Sequence, residues 1–93
     1  RQRALDGTPC PELLARRGIL PGIKVDNGAK ALAGAPGEKV TEGLDGLRER
    51  LVEYRGLGAK FAKWRAVIDI DSAAGIPSDY CLDVNAHALA RYA

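Results

Sequence analysis

Charged side chains at alternate positions of two short apolar segments are the residues of this chain best suited to chemistry. Lys24 and Asp26 lie in the first segment, and Lys63 and Arg65 lie in the second. The alternation typical of a β-strand puts each pair on one face of its strand. Burying an unpaired ion costs several kcal/mol, so on a buried face these charges must meet one another or a ligand. Three of them are cations, and because guanidinium and ammonium groups suit phosphate oxygens, the set predicts a phosphorylated substrate.

The opposite faces of both segments are apolar. Ile23 and Val25 form this face in the first segment, and Ala62, Trp64 and Ala66 form it in the second. A helical pattern separates the two, and strand, helix, strand is the unit of a parallel sheet. In a closed barrel with helices outside, the apolar faces meet the helices. The charged faces then point inward near the carboxyl ends of the strands, where such barrels place their chemistry.

A second interpretation of the same charges stays open at this stage. Lys24 and Lys63 are equally compatible with strand-end lysines that reach solvent, with Asp26 and Arg65 forming a surface ion pair. Alternation within a strand shows which residues share a face, but it does not show which face is inside.

Periodicity and turn residues predict the elements that would position these side chains. Leucines and a tyrosine at helical spacing, followed by glycines, predict a central helix of about four turns. A long stretch rich in Gly, Ala and Pro has the composition of a functional or binding loop. The predicted strands are 19–25 and 61–68, and the predicted loops are 28–43 and 69–78. The predicted helices are 12–16, 79–92 and a central helix that starts at 44 and is stopped by the glycines at 56 and 58.

Composition excludes several classes of protein. The 93 residues are 46% hydrophobic and 28% charged, which is ordinary for a globular protein, and no apolar run is long enough to cross a bilayer. The net charge of +2 is small and dispersed, which argues against nucleic acid as a partner. The chain begins at Arg1 and contains no methionine, so we expect it to be an internal portion of a longer protein without a targeting segment at its start.

The cysteines and the histidine are too few and too far apart in sequence to form a disulfide framework or a zinc site. Cys10 and Cys81 are far apart in sequence and are expected to be free, buried thiols in a cytosolic protein. His87 is the single histidine and does not make a zinc site alone. The loop at 28–43 lacks the Gly-Lys-Ser/Thr ending of a phosphate-binding loop.

Four stretches of the chain have a distinctive sequence: Gly18–Gly28 (GILPGIKVDNG), Glu42–Glu49 (EGLDGLRE), Gly58–Arg65 (GAKFAKWR) and Ala88–Ala93 (ALARYA). Together they resemble class I fructose-bisphosphate aldolase. They follow one another in the order and spacing of that family and cover most of the chain, and the most specific of them carries Lys-Trp-Arg on a strand after a Leu-Asp-Gly-Leu helix. The resemblance implies a (β/α)₈ barrel of which residues 1–93 are an internal portion of the single domain, with about two strands and their helices.

The family resemblance also implies a role for each charged residue. The lysine that matches Lys63 is catalytic and contacts substrate near the carbon-carbon bond that breaks. The residues that match Lys24 and Arg65 hold the phosphate-bearing substrate, and the aspartate that matches Asp26 belongs to the same charged network. The implied reaction is the reversible, Schiff-base cleavage of fructose 1,6-bisphosphate in glycolysis and gluconeogenesis. It needs no cofactor or metal, and the resemblance implies a cytoplasmic enzyme of a family in which homotetramers are usual. The absence of a nucleic-acid or membrane partner is expected from the charge and hydropathy of the chain.

The chain departs from the family pattern in two ways. Asn27 stands where the family commonly has another lysine. The Schiff-base lysine and the glutamates that act with it lie on later strands of the family's barrel and are absent from these residues, so we expect the isolated segment to be inactive. Two alternatives remain: an inert interaction module that uses loop 28–43 and the helices, and another phosphate-binding barrel enzyme.

Overall fold

A computed structural model describes residues 2–93, which form two compact units. The first unit combines the chain up to Lys24 with Arg48–Lys63, and the second combines Val25–Leu47 with Trp64–Ala93. In chain order the elements are α1 (Cys10–Arg16), β1 (Gly22–Lys24), β2 (Ala29–Ala31), β3 (Lys39–Thr41), α2 (Leu47–Gly56), β4 (Phe61–Lys63), a 3₁₀ turn (Ser72–Ala74) and α3 (Asp79–Tyr92).

The first unit contains the predicted pair of parallel strands. β1 pairs with β4 in parallel, so that Gly22 is the partner of Phe61 and Lys24 is the partner of Lys63. One further hydrogen bond, from the amide of Lys60 to the carbonyl of Pro21 (2.8 Å), continues the pairing before the two strands. The prediction of a parallel pair is therefore confirmed, with three residues in each strand instead of the longer segments predicted.

The central helix begins later than the leucine spacing predicted. Gly46 has φ +64°, a left-handed conformation that a right-handed helix excludes. Residues 44–47 therefore make a turn, closed by a 3.1 Å hydrogen bond from the Leu47 amide to the Leu44 carbonyl, and α2 starts at Leu47. The predicted helix start at 44 is wrong for this reason.

Residues 28–43, predicted to be a loop, contain an antiparallel hairpin in the second unit. β2 pairs with β3 in the register Ala29 to Thr41, Lys30 to Val40 and Ala31 to Lys39. Alanine and lysine have low strand propensity, so sequence preference alone does not explain the hairpin. Packing explains it, because a small apolar core joins the hairpin to α3; the core residues are Leu32, Ala35 and Cys81, with Val40, Ile68 and Val84 packed against them.

Helix α3 has the predicted bounds, and a buried carboxylate reinforces its start. The Ser78 hydroxyl caps the helix by accepting from the Cys81 amide at 3.1 Å. Glu38, only 5% exposed, accepts from the Ser78 hydroxyl (2.6 Å) and amide (2.9 Å). These bonds hold the pKa of Glu38 below its ordinary value.

Both cysteines are free thiols, as predicted. Cys81 is buried as predicted, whereas Cys10 is only half-buried. Burial raises the pKa of the Cys81 thiol, and the neighbouring Glu38 carboxylate raises it further.

Gly43 closes the hairpin against the backbone of Asp26 and Asn27. Its φ is +134°, and a Cβ at this position would lie 2.8 Å from the Asn27 nitrogen and 2.9 Å from the Asp26 Cα. Neither atom belongs to a flexible side chain that could move aside. Only glycine therefore fits here.

We expect Gly43→Ala to lower the free energy of unfolding by about 3 kcal/mol, because backbone strain and a backbone clash add. Gly34→Ala is the matched control: Gly34 also has a positive φ, but nothing lies within 4 Å of its Cβ position, so about 1 kcal/mol is expected. Denaturant unfolding of the full-length protein measures both. Equal losses in the two variants would show that the close approach at Gly43 does not matter.

Candidate active site

Lys24 and Lys63 lie side by side in the first unit. They are register partners at the carboxyl ends of β1 and β4, and both side chains are exposed in these 93 residues. Adjacent strands are about 4.8 Å apart, so register partners present their side chains on one face at close range. Two ammonium groups on one face can bind the same anion. Ile23 and Ala62, on the other face, are half-buried, which agrees with the predicted alternation.

Phe61 and Gly22 form another register pair, two residues before the lysines in each strand and on the same face as the lysines. A Cβ on Gly22 would clash with the Phe61 ring, so the ring covers the glycine that is its register partner. An aromatic side chain over a glycine of the neighbouring strand is a recognised way of completing such a surface. On this face the Phe61 ring therefore lies just before the two lysines, and the lysines are the last residues of the paired strands.

Asp26 belongs to the second unit and is buried, with 8% of its surface exposed. Its Oδ1 accepts from the amide of Gly28 at 3.0 Å, which fixes the turn that leads into the hairpin. The interpretation in which Asp26 takes part in a surface ion pair is wrong, because this carboxylate is not at the surface. Burial of Asp26 agrees instead with a carboxylate that helps to order its surroundings.

Arg65 also belongs to the second unit and lies two residues beyond the end of β4. Its side chain is exposed, and its backbone carbonyl accepts from the Thr41 hydroxyl at 2.7 Å. Sequence reasoning missed Thr41, because it lay at the end of a segment that was interpreted as a loop. The alternation of Lys39, Val40 and Thr41 was the available signal for a strand there.

Trp64 directly follows β4 and faces helix α3, as predicted for the apolar face of residues 61–68. Its ring stacks on Tyr92 with centroids 5.4 Å apart and an interplanar angle of 30°. The indole Nε1 is buried and has no hydrogen-bond acceptor among residues 2–93. Leaving a buried donor unsatisfied costs about 1–3 kcal/mol.

Residues 2–93 contain neither a candidate metal site nor a candidate membrane-spanning helix. In this part of the chain no group of three or more His, Cys, Asp or Glu side chains is placed to hold a metal ion. Nor does any helix within it have the length and apolar composition needed to cross a membrane. What the exposed cations can do is bind an anion and stabilise negative charge that develops beside them.

Comparison with known proteins gives one consistent result. A family model described as fructose-bisphosphate aldolase class-I matches residues 1–93. A probable fructose-bisphosphate aldolase class 1 from Xanthomonas campestris is 64% identical over 93 residues, which are 100% of this chain and 27% of that protein. Cytosolic fructose-bisphosphate aldolase 6 from Arabidopsis thaliana is 51% identical over 92 residues, 99% of this chain and 25% of the relative.

A solved structure shows the same fold. Plasmodium falciparum fructose-bisphosphate aldolase, crystallised in a ternary complex with TRAP and a small-molecule inhibitor, matches with a TM-score of 0.94 and 49% identity. The match covers 99% of this chain and 26% of the Plasmodium chain. The fold is therefore that of part of an α/β barrel, and the chain spans about a quarter of the length of these relatives.

Proposed function

Because this chain belongs to the class I fructose-bisphosphate aldolase family, we propose that it works as part of an enzyme of the relatives' length that cleaves fructose 1,6-bisphosphate. The products are dihydroxyacetone phosphate and glyceraldehyde 3-phosphate, and the reaction is reversible. Residues 1–93 are an internal portion of the single barrel domain and supply part of the active site. Alone, they are catalytically inert.

The observation that carries this proposal is the pairing of Lys24 with Lys63. Two lysines in register at the carboxyl ends of parallel strands are exposed on the face opposite Ile23 and Ala62. The carboxyl ends of barrel strands are where such folds bind substrates. A sugar bisphosphate has the charge that such a pair attracts.

The four charged residues divide into three roles in the proposed reaction. Lys63 is catalytic and supplies positive charge and hydrogen bonds near the reacting hydroxyl, where negative charge develops as the bond between carbons three and four breaks. Lys24 and Arg65 bind phosphate oxygens, Arg65 through its planar pair of donors. Asp26 is a buried carboxylate that orders this charged network.

The covalent chemistry belongs to a lysine outside these 93 residues. Its amine condenses with the ketose carbonyl and releases water, which gives an iminium that accepts the electron pair of the breaking bond. As that bond breaks, the proton of the hydroxyl on carbon four passes to a base, the aldehyde product leaves and the iminium becomes an enamine. Protonation of the enamine at carbon three restores the iminium, and its hydrolysis returns the lysine and the ketone product. No metal takes part in the proposed reaction.

The buried indole of Trp64 supports the proposal that more of the protein is needed. Its Nε1 lacks an acceptor among the described residues, so we expect an oxygen atom from the rest of the full-length protein to accept this hydrogen bond.

We further propose that the full-length enzyme is a cytoplasmic homotetramer acting on sugar phosphates, in keeping with a relative that is named as cytosolic.

An aldolase assay on two chains tests the proposed function. The full-length protein should release triose phosphates from fructose 1,6-bisphosphate, detected by coupled oxidation of NADH, and residues 1–93 should release none. A full-length protein that binds the bisphosphate without cleaving it would favour an inert interaction module instead.

A further inference from the structure

Arg65 lies where the parallel strand pair no longer holds the backbone. β4 ends at Lys63, and β1, its partner, ends at Lys24. Among the described residues, the Arg65 carbonyl receives its hydrogen bond from the Thr41 hydroxyl, at 2.7 Å. Thr41 is only 3% exposed, so water does not compete for this bond.

Thr41 is itself held in place by helix α3. Asn85, which is 3% exposed, donates from Nδ2 to the Lys39 carbonyl at 2.9 Å and accepts from the Thr41 amide at 3.4 Å. The same Nδ2 group donates to the Cys81 carbonyl within the helix at 2.9 Å. One buried amide side chain therefore connects α3 to β3, and Thr41 connects β3 to Arg65.

Hydrogen bonding to a carbonyl fixes the peptide plane, and the direction of a side chain follows from its backbone. The Thr41 bond therefore limits the directions in which the Arg65 guanidinium can point. A guanidinium that must meet phosphate oxygens with two donors at once loses affinity when it is misdirected.

We propose that Thr41 is a positioning residue for Arg65 and that the β2–β3 hairpin thereby sets the affinity of the enzyme for the phosphate of its substrate. The inference rests on the proposed function, because it assigns phosphate binding to Arg65. Thr41 itself contacts no substrate in this proposal and acts through the backbone carbonyl of Arg65. The hairpin then positions a substrate-binding side chain in addition to connecting β1 to α2.

Thr41→Val and Thr41→Ser in the full-length enzyme distinguish the effect of the Thr41 hydroxyl on KM from that of its methyl group. Valine keeps the shape but loses the donor, so KM for fructose 1,6-bisphosphate should rise about tenfold while kcat stays within about threefold. Serine keeps the donor and should keep KM within about threefold of the wild-type value. If Thr41→Val does not fold, Thr41→Ala compared with Thr41→Ser makes the same distinction.

A double-mutant cycle shows whether the effect passes through Arg65. In an Arg65→Ala background, Thr41→Val should change KM by less than about twofold, because the side chain that it positions is gone. A tenfold rise in that background, or equal effects of Val and Ser, would overturn the inference and leave the proposed function intact. Failure of the wild-type full-length enzyme to cleave the bisphosphate would instead reject the proposed function and, with it, the role of Thr41.

Discussion

In the full-length enzyme, we expect Lys63→Ala to lower kcat by about 10²–10³-fold while the melting temperature hardly changes. A cation aimed at developing charge acts mainly in the transition state, and removing one such group costs about 3–4 kcal/mol in other enzymes. The Lys63 side chain is exposed in these residues, so its loss leaves no cavity and little change in stability is expected. Steady-state kinetics and a thermal melt of the same preparation measure the two effects.

Lys60→Ala is the matched control for Lys63→Ala. Lys60 is an exposed lysine three residues earlier, and its contact with the neighbouring strand is a backbone hydrogen bond to Pro21 that alanine retains. Its kcat should stay within about twofold of the wild-type value, as for a surface substitution away from the site. Equal kcat values in Lys63→Ala and wild type would remove Lys63 from the active site.

Replacing Lys24 or Arg65 with alanine should raise KM for fructose 1,6-bisphosphate by about 10–100-fold. A hydrogen bond between two charged groups contributes about 1.5–3 kcal/mol, and its loss weakens binding of the phosphate. KM for an analogue without phosphate should change much less, because the lost contact has no counterpart there. The measurement is the ratio of the two KM values in each variant.

Arg55→Ala serves as the control for the loss of one exposed arginine. Arg55 lies in the last turn of α2, where a cation interacts with the helix dipole. It should leave the ratio of the two KM values unchanged. If Lys24→Ala or Arg65→Ala weakened both substrates equally, that residue would not contact phosphate.

The parallel strand pair could be predicted from the sequence because the two signals that specify it are local. Alternation in residues 22–25 and 61–66, with a helical pattern between them, is enough to indicate a strand, a helix and a parallel strand. Helix α3 was predicted with its exact bounds from its regular apolar stripe. In the structure Ser78, a typical capping residue, lies immediately before the helix.

The hairpin could not be predicted because its stability comes from contacts distant in sequence. Asn85 reaches Lys39 across 46 positions, and Glu38 reaches Ser78 across 40. Composition in residues 28–43 indicated only turns and weak strand formers. Thr41, which lies in that segment, was therefore missing from the predicted site, although it makes the one side-chain hydrogen bond described for Arg65.

The charged residues themselves were identified from alternation and from the family resemblance, and their roles remain predictions. The structure adds that Lys24 and Lys63 are partners in register and that Asp26 is buried. Neither fact follows from alternation within a single strand. Register depends on which residues of two distant segments pair, and burial depends on what packs against them.

The central claim is that these residues supply the charged part of a Schiff-base aldolase whose covalent lysine lies elsewhere in the full-length protein. Borohydride reduction in the presence of dihydroxyacetone phosphate, followed by mass spectrometry, tests it directly. We expect one reduced adduct on the full-length protein, at a lysine outside residues 1–93, and no change in the mass of residues 1–93 alone. A specific adduct on residues 1–93, or no adduct on an active full-length protein, would contradict the claim.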